Sequence, residues 1–221
     1  MMKYLLLLWA AMWHVNDATV LKVKATADFQ VTGDGSHANW NRTEWITLPQ
    51  RSGNTPLATK VKMLYSQSGV YVLFQCSDQR ITATMKADFM DLWKEDVVEV
   101  FLWPDENSGT YFEYEISPLN YELPILISNN KGALCRWMPF HYEADRKTQH
   151  AVSKQSSGWT AECYIPYTLL RPLNNIQPQR GTRWRANFYR VDYDSGEAEW
   201  SWQLTGPSFH EYEKFGTLLF E

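Results

Sequence analysis

The sequence has little cysteine and no excess of charge of either sign. Three of its 221 residues are cysteine, and 21 basic against 25 acidic side chains give a net charge of −4. No CxxC pair or Cys/His spacing typical of zinc is present, and the near balance of charge argues against nucleic acid as the main partner. Cys76, Cys135 and Cys163 could form one disulfide bond with one cysteine left over, but buried free thiols are the favoured interpretation.

Long hydrophobic runs are also missing. The apolar stretch that follows Lys3, within residues 4–13, has about ten residues. It is too short to span a bilayer and has the length of the hydrophobic part of a signal peptide. We predict a signal peptide over residues 1–18, one domain over residues 19–221, and a secreted or periplasmic protein without membrane insertion. A buried N-terminal strand is the alternative.

No amphipathic helix of three turns is present. Instead, short segments with a period of two recur between turn residues, as is typical of β-strands, and a helical turn at residues 167–170 is the one exception. Strands without intervening helices favour antiparallel pairing, so the sequence predicts an all-β, single-domain antiparallel two-sheet β-sandwich. The predicted strands cover residues 20–29, 59–65, 70–76, 97–103, 111–116, 159–165, 183–191, 198–203 and 217–220.

Aromatic residues are abundant. The chain has 11 Trp, 12 Tyr and 10 Phe, which is more than a core alone needs. Aromatic rings prefer to stack on flat, apolar surfaces. The surplus therefore suggests a ligand with flat faces.

Strand side chains alternate between two faces, so each predicted strand has a core face and an outer face. The core faces of three strands are wholly apolar: Val98, Val100 and Leu102; Phe112, Tyr114 and Ile116; Trp184, Ala186 and Phe188. If the three strands are neighbours, the outer face collects Glu99, Phe101, Trp103, Tyr111, Glu113, Glu115, Arg185, Asn187 and Tyr189. Charged and amide groups suit sugar hydroxyls, and rings suit the apolar faces of a sugar. A solvated face with cross-strand Glu and Arg pairs is the alternative.

Catalytic and cofactor-binding motifs are not evident. The five histidines are scattered, and no glycine-rich phosphate-binding motif is present. A glycosidase needs two carboxylates roughly 5 to 10 Å apart, but Asp96 and Glu99 point to opposite faces and no second strand carries a spaced run of carboxylates. We therefore predict a protein that is not an enzyme and has neither a cofactor nor a bound metal.

Several short motifs follow one another along the chain. They are Gly33-Asp34-Gly35 with Trp40, the segment 92–101, Trp159-Thr160-Ala161-Glu162 leading to Ile165-Pro166-Tyr167, Asn187-Phe188-Tyr189-Arg190, and Lys214-Phe215-Gly216-Thr217-Leu218. Their order and spacing resemble the family 9 carbohydrate-binding modules and their relatives with a DOMON-like sandwich. The resemblance covers about residues 28–220, and the Trp93-x-x-Asp96-x-x-Glu99 segment is its most specific part.

The resemblance implies a non-catalytic module that holds a saccharide or oligosaccharide between two aromatic rings. By position, Trp93 would be the first ring, Phe209 the second, Glu99 an acceptor carboxylate and Asn187 an amide contact. The sorting of the faces adds further candidates, namely Tyr111, Glu113, Arg185 and Tyr189. A separate glycoside hydrolase would be a further partner.

Two other functions remain open. The first is a protein-interaction or scaffold domain that uses the same aromatic face. The second is a DOMON-like haem domain, which needs an axial Met and His pair. Nothing in the spacing of the methionines and His210 selects such a pair.

Overall fold

The computed structural model describes residues 20–131, 133–194 and 196–221. The predicted signal peptide, residues 1–18, lies outside these residues. The described chain has fourteen strands: β1 Val20–Ala25, β2 Ile46–Leu48, β3 Gln50–Ser52, β4 Thr59–Tyr65, β5 Gly69–Ser77, β6 Val97–Trp103, β7 Thr110–Ile116, β8 Glu122–Asn130, β9 Ala133–Pro139, β10 Gln149–Gln155, β11 Gly158–Pro166, β12 Arg183–Asp192, β13 Ala198–Ser201 and β14 Gly216–Phe220. Short 3₁₀ helices lie at Ala38–Arg42, Leu92–Lys94, Ala144–Arg146, Tyr167–Leu170 and Tyr212–Lys214.

The fourteen strands form one continuous mixed sheet. Its main order is β10-β11-β5-β4-β1-β14-β12-β6-β7-β8-β9, with β2 paired to β4 and β13 paired to β12 and β3. Strand β1 joins the two halves, because residues 20–23 pair in parallel with β14 and residues 24–25 pair in parallel with β4. The all-β prediction is confirmed. The predicted pair of separate antiparallel sheets is corrected to one mixed sheet, since β1 gives hydrogen bonds to both halves.

The main core lies between the two halves of this sheet. It combines residues such as Val72 and Phe74 of β5 with Val100 of β6 and Phe188 of β12. All nine residues predicted for the core faces of the three central strands belong to it. The strand alternation therefore predicted the inward face correctly.

A second apolar cluster lies on the opposite face of β6, β7 and β12. Phe101, Tyr111 and Tyr189 of the sheet pack there against Tyr212 and Phe215 of the segment that leads into β14. The outer face predicted for these strands is thus covered over part of its area. This covering segment forms one wall of the site described below.

The motif residues Gly33 and Glu162 belong to a buried structural contact. The Oε2 atom of Glu162 accepts hydrogen bonds from the backbone N–H of Gly33 at 2.8 Å and of Thr32 at 3.0 Å, and its Oε1 atom accepts one from Nε1 of Trp40 at 2.7 Å. Gly33 has φ +86°, and a Cβ there would lie 2.7 Å from the Ala151 backbone, so only glycine fits. Gly33 and Glu162 of the sequence motifs therefore stabilise the fold.

Cys76 and Cys163 are buried and free, as predicted for two of the three cysteines. Among the described residues, none of the helices is long and apolar enough to cross a membrane.

Candidate functional site

A cleft of about 550 Å³ opens on the outer face of β6, β7 and β8. It is lined by Trp93, Glu99, Phe101, Glu113, Ile125, Ile127, Leu134, Trp137, Val191, Tyr193, Glu197, Glu199, Pro207, Ser208, Phe209 and His210. The volume falls in the range of pockets that hold small ligands.

The floor of the cleft follows from strand register. Phe101 of β6 is paired with Glu113 of β7, which is paired with Ile125 of β8. Paired residues lie on the same face of a sheet, so an acidic side chain stands between two apolar ones. Strand β12 pairs with β6, so the three strands assumed to be neighbours from the sequence are neighbours in the sheet.

Trp93 stands on one side of the cleft with 43% of its surface exposed. It lies on the 3₁₀ helix Leu92–Lys94, just before β6, and the buried Leu92 anchors that helix in the second cluster. The Tyr193 hydroxyl donates a hydrogen bond to the Trp93 carbonyl at 3.2 Å, and the Tyr193 N–H donates to Asp96 Oδ1 at 2.8 Å. These contacts hold the exposed indole at the mouth of the cleft.

Trp137 is a second exposed indole on the cleft that the sequence pattern did not predict. It is 42% exposed and lies on β9, where it pairs with Ile127 of β8. This pairing places Trp137 on the face that carries the floor of the cleft. The apolar residues Leu134, Trp137 and Met138 are the feature of the sequence that could have indicated strand β9, but their alternation is too weak to do so.

Phe209 lies in the wall formed by residues 207–210. Its ring stacks on Tyr189 with centroids 4.2 Å apart, and the Arg51 guanidinium carbon lies 4.6 Å from its centroid. Two such groups can only occupy opposite faces of one ring. Phe209 therefore presents mainly its edge to the cleft.

Four of the eight predicted site residues line the cleft, and four do not. Trp93, Glu99, Glu113 and Phe209 line it, whereas Asn187, Tyr111, Arg185 and Tyr189 do not.

The four residues away from the cleft make bonds within the protein. Asn187 Nδ2 donates to the Gln203 carbonyl at 2.9 Å, and Arg185 Nε donates to the Phe215 carbonyl at 3.0 Å. The Tyr111 hydroxyl lies 2.7 Å from His210 Nδ1, and the Tyr189 hydroxyl donates to the Phe209 carbonyl at 2.8 Å. They fasten the segment after β13 onto the sheet, and this segment carries one wall of the cleft.

Three carboxyl groups lie together at and beneath the floor. Glu99 pairs with Glu115 across β6 and β7, and Glu113 is two residues from Glu115 on the same face. Glu99 is 2% exposed and Glu113 is 5% exposed, and the Oε2 atom of each has no hydrogen-bond partner among the described residues. Such unpartnered buried oxygens are costly, so they are expected to bind a proton or a donor from a ligand.

Burial shifts the pKa of each of these carboxyls upward. Burial raises the pKa of Glu113 to about 8. Burial, reinforced by the charges of Glu113 and Glu199, raises the pKa of Glu99 well above its usual value, and burial with the charges of Glu99 and Glu113 does the same for Glu115. These groups hold protons to higher pH than ordinary glutamates.

The rim of the cleft is also acidic. Glu197 and Glu199 line it, and Glu199 Oε2 is 2.8 Å from Arg51 Nη1. Over the part of the chain that the structure describes, no lysine or arginine lines the cleft. The cleft therefore combines aromatic walls with four glutamates.

A separate group of carboxylates could hold a cation. Single oxygens of Asp78, Asp96, Asp192 and Asp194 lie within 4.8 Å of one another, although the residues are far apart in sequence. Oxygen ligands of this kind suit calcium. However, Nη2 of the buried Arg190 already donates to Asp78 Oδ2 at 3.1 Å and to Asp192 Oδ2, so a side chain of the protein neutralises two of the four. The predicted absence of a bound metal stays a prediction.

The fold is an all-β domain, and its candidate binding cleft lies on the outer face of the sheet. The family model described as carbohydrate family 9 binding domain-like matches residues 31–221. The chain belongs to this family, which confirms the resemblance seen in its motifs.

Solved structures share the fold. A putative carbohydrate-binding protein from Bacteroides uniformis aligns with a TM-score of 0.74 and 19% identity, over 92% of this chain and 99% of that one. A family 9 carbohydrate-binding module from Caldicellulosiruptor kristjanssonii in complex with cellotriose aligns with a TM-score of 0.68 and 16% identity, over 91% and 94% of the two chains. A structure of a family 9 module from that organism with glucose aligns with a TM-score of 0.66 and 16% identity, over 91% and 96%.

A curated relative is named for its location. It is an "Extracellular protein" of Arthroderma benhamiae that is 27% identical over 144 residues, and the match covers 60% of this chain and 63% of the relative. The match thus spans less than two thirds of the relative's length.

Proposed function

We propose that the protein is a non-catalytic domain that binds a saccharide in the cleft between Trp93 and Trp137. The observation that carries this proposal is that two indoles, each about two-fifths exposed, line a cleft whose floor contains carboxyl oxygens without partners. Exposed indoles offer large, rigid and amphipathic surfaces that suit the apolar faces of a pyranose ring. Carboxyl groups bind the hydroxyls at the edge of the ring.

Each cleft residue has a distinct role in this proposal. Trp93 and Trp137 provide the stacking surfaces, and Glu99 and Glu113 receive hydrogen bonds from the sugar. Phe209 forms a side wall rather than the second stacking ring, because Tyr189 and Arg51 already cover its two faces. The relatives from Caldicellulosiruptor with cellotriose and glucose support a saccharide as the ligand class.

The electrostatics of the floor support binding without catalysis. Hydrolysis of a glycosidic bond requires one carboxyl that stays ionised and another that holds a proton. Burial raises the pKa of Glu99, Glu113 and Glu115 alike. These three groups therefore lack the division of roles that acid and base catalysis needs.

We also propose that the protein acts outside the cytoplasm, after removal of the predicted signal peptide, and that a separate glycoside hydrolase is its functional partner. The name of the Arthroderma relative supports the location. N-terminal sequencing of the exported protein would test the predicted cleavage near residue 18.

Titration calorimetry with glucose and cellotriose, read alongside tryptophan fluorescence, tests saccharide binding directly. We expect saturable binding and a fluorescence change that Trp93→Ala reduces. Incubation of wild-type protein with cellotriose should leave the oligosaccharide intact. Release of shorter sugars by wild type, abolished in Glu99→Gln, would contradict the non-catalytic proposal.

A protein-interaction domain is the second candidate function. Strand β9 ends the sheet order and exposes Leu134, Trp137 and Met138. An edge strand with exposed apolar residues can pair with another chain. If a broad glycan array shows no ligand, this function becomes the better explanation of Trp137.

A further inference from the structure

The acidic lining of the cleft bears on which saccharide it selects. Glu99, Glu113, Glu197 and Glu199 all line it, and no lysine or arginine does so among the described residues. Arg51, which lies behind Phe209, pairs with Glu199 alone among these four. The cleft therefore holds more carboxyl groups than the described cationic side chains pair with.

The unpartnered oxygens supply an independent observation. Glu99 and Glu113 are more than nine-tenths buried, line the cleft, and have an Oε2 atom that receives no hydrogen bond. Protons neutralise such groups in the free protein, and a bound ammonium group would take the place of those protons. A ligand that brings both positive charge and several N–H donors would meet the same requirement and satisfy the oxygens.

The aromatic walls favour the same kind of ligand. The indoles of Trp93 and Trp137 line the cleft together with Phe101 and Tyr193. Lys94 Nζ lies 4.9 Å from the centroid of the Trp93 ring, so one face of that indole already meets a cation. The faces of aromatic rings attract cations, tryptophan most strongly, and also cover the apolar faces of sugars. A neutral sugar would use only the second property.

We propose that the cleft selects a saccharide that carries protonated amino groups, such as an oligosaccharide of glucosamine, over neutral saccharides. This inference rests on the proposed function as a saccharide-binding domain. The ammonium group lies against Glu99 and Glu113 on the floor, and the sugar ring lies against the indoles. Glu197 at the rim adds attraction at longer range.

Three trisaccharides of similar size separate charge from shape. They are the glucosamine trimer, the N-acetylglucosamine trimer and cellotriose, each titrated calorimetrically at about pH 7, where an amino group of this kind is still largely protonated. We expect the glucosamine trimer to bind at least about tenfold more tightly than either neutral trimer, a difference that one charged hydrogen bond can supply. Added salt should weaken binding of the glucosamine trimer more than that of cellotriose.

Matched variants locate the effect. Glu113→Gln keeps the shape of the side chain and should lower affinity for the glucosamine trimer about tenfold, while affinity for cellotriose changes less than about threefold. Glu197 is exposed, so Glu197→Gln should leave the core intact. It should lower affinity for the glucosamine trimer about twofold to fivefold. Glu44→Gln, an exposed position away from the cleft, should change nothing.

The outcomes test the selection of amino sugars separately from saccharide binding itself. Equal or tighter binding of cellotriose would overturn the selection of amino sugars and leave saccharide binding in place. No binding of any of the three trimers, or of a broad glycan array, would overturn both. Tight binding of the glucosamine trimer that survives both Glu113→Gln and Glu197→Gln would overturn the role assigned to the cleft carboxyls.

Discussion

Phe209 stacks face to face on Tyr189, with ring centroids 4.2 Å apart and ring planes inclined by 6°. The Tyr189 hydroxyl also donates to the Phe209 carbonyl at 2.8 Å. The two residues come from the sheet and from the wall of the cleft, so this stack and hydrogen bond fasten the wall to the sheet. The ring that the family resemblance assigns to the ligand is used largely within the protein.

Phe209→Ala should therefore lower stability more than it lowers saccharide affinity. Loss of the stack and of part of the buried area should reduce the free energy of unfolding by about 1 to 2 kcal/mol. Phe209→Trp should leave affinity within about twofold of wild type, because both ring faces remain covered. Chemical denaturation and titration calorimetry measure the two effects. A marked gain of affinity in Phe209→Trp would show that the side chain at position 209 stacks on the ligand.

Trp93→Ala and Trp137→Ala should each weaken saccharide binding by about 1 to 3 kcal/mol, as central aromatic anchors do. Their melting temperatures should stay close to that of wild type, since the exposed indoles contribute little to the core. Trp184→Ala is the contrasting variant, because Trp184 is fully buried in the main core, and it should cost about 3 to 5 kcal/mol of stability. Unchanged binding together with strong destabilisation would make the first two residues structural.

Glu99→Gln and Glu113→Gln should lower saccharide affinity, whereas Glu115→Gln should not. The first two line the cleft, whereas Glu115 is fully buried and does not line it. Replacing an acceptor carboxyl that contacts the ligand should cost about 1 kcal/mol or more of the binding free energy of the glucosamine trimer, and less than that for cellotriose. Small, equal effects at the three positions would indicate that the carboxyls do not contact the ligand.

The contribution of Glu113 to stability should fall as the pH rises from about 4.5 to about 8. Burial raises the pKa of Glu113 to about 8, while the same group in the unfolded chain titrates near 4.5. Between these values the folded protein binds more protons than the unfolded chain, so raising the pH favours unfolding. Glu99 and Glu115 act in the same direction. Urea denaturation across this range measures the slope, and Glu113→Gln should reduce it; an unchanged slope in the variant would contradict the assignment.

Arg190→Met should be strongly destabilising. The guanidinium is fully buried and donates to Asp78 and Asp192, so its removal leaves two buried carboxylates without their cation. A loss of about 3 to 5 kcal/mol is expected, as for other broken buried ion pairs. Lys22→Met, which breaks the exposed pair with Glu221, should change stability little. Recovery of Arg190→Met by added calcium would show that a metal ion can replace the guanidinium.

Most of the fold could be predicted because its strongest signals are local. The predicted strands at residues 59–65, 97–103 and 183–191 agree with the observed strands within one residue at each end, and the helical turn at residues 167–170 agrees throughout. Strands β2, β3, β8, β9 and β10 were not predicted. Pro124 interrupts the pattern of β8, and β9 exposes apolar residues, so neither shows a clear alternation.

The candidate site could be predicted only in part. Glu99 and Glu113 lie on the predicted face and line the cleft, whereas Tyr111 and Arg185 lie on that face and bond to other parts of the protein. Alternation assigns a residue to a face but does not show what covers that face. The covering segment comes from distant positions in the chain.

The sequence by itself determined the strand class, the inward faces of β6, β7 and β12, and the family, because side-chain alternation and short motifs depend on neighbouring residues. Only the tertiary structure decided that β1 joins both halves of one sheet, that Trp137 of β9 lies beside the floor of the cleft, and that Phe209 is held between Tyr189 and Arg51. Each of these relations depends on pairing or packing between residues far apart in the chain, and such contacts leave no periodic trace in the sequence.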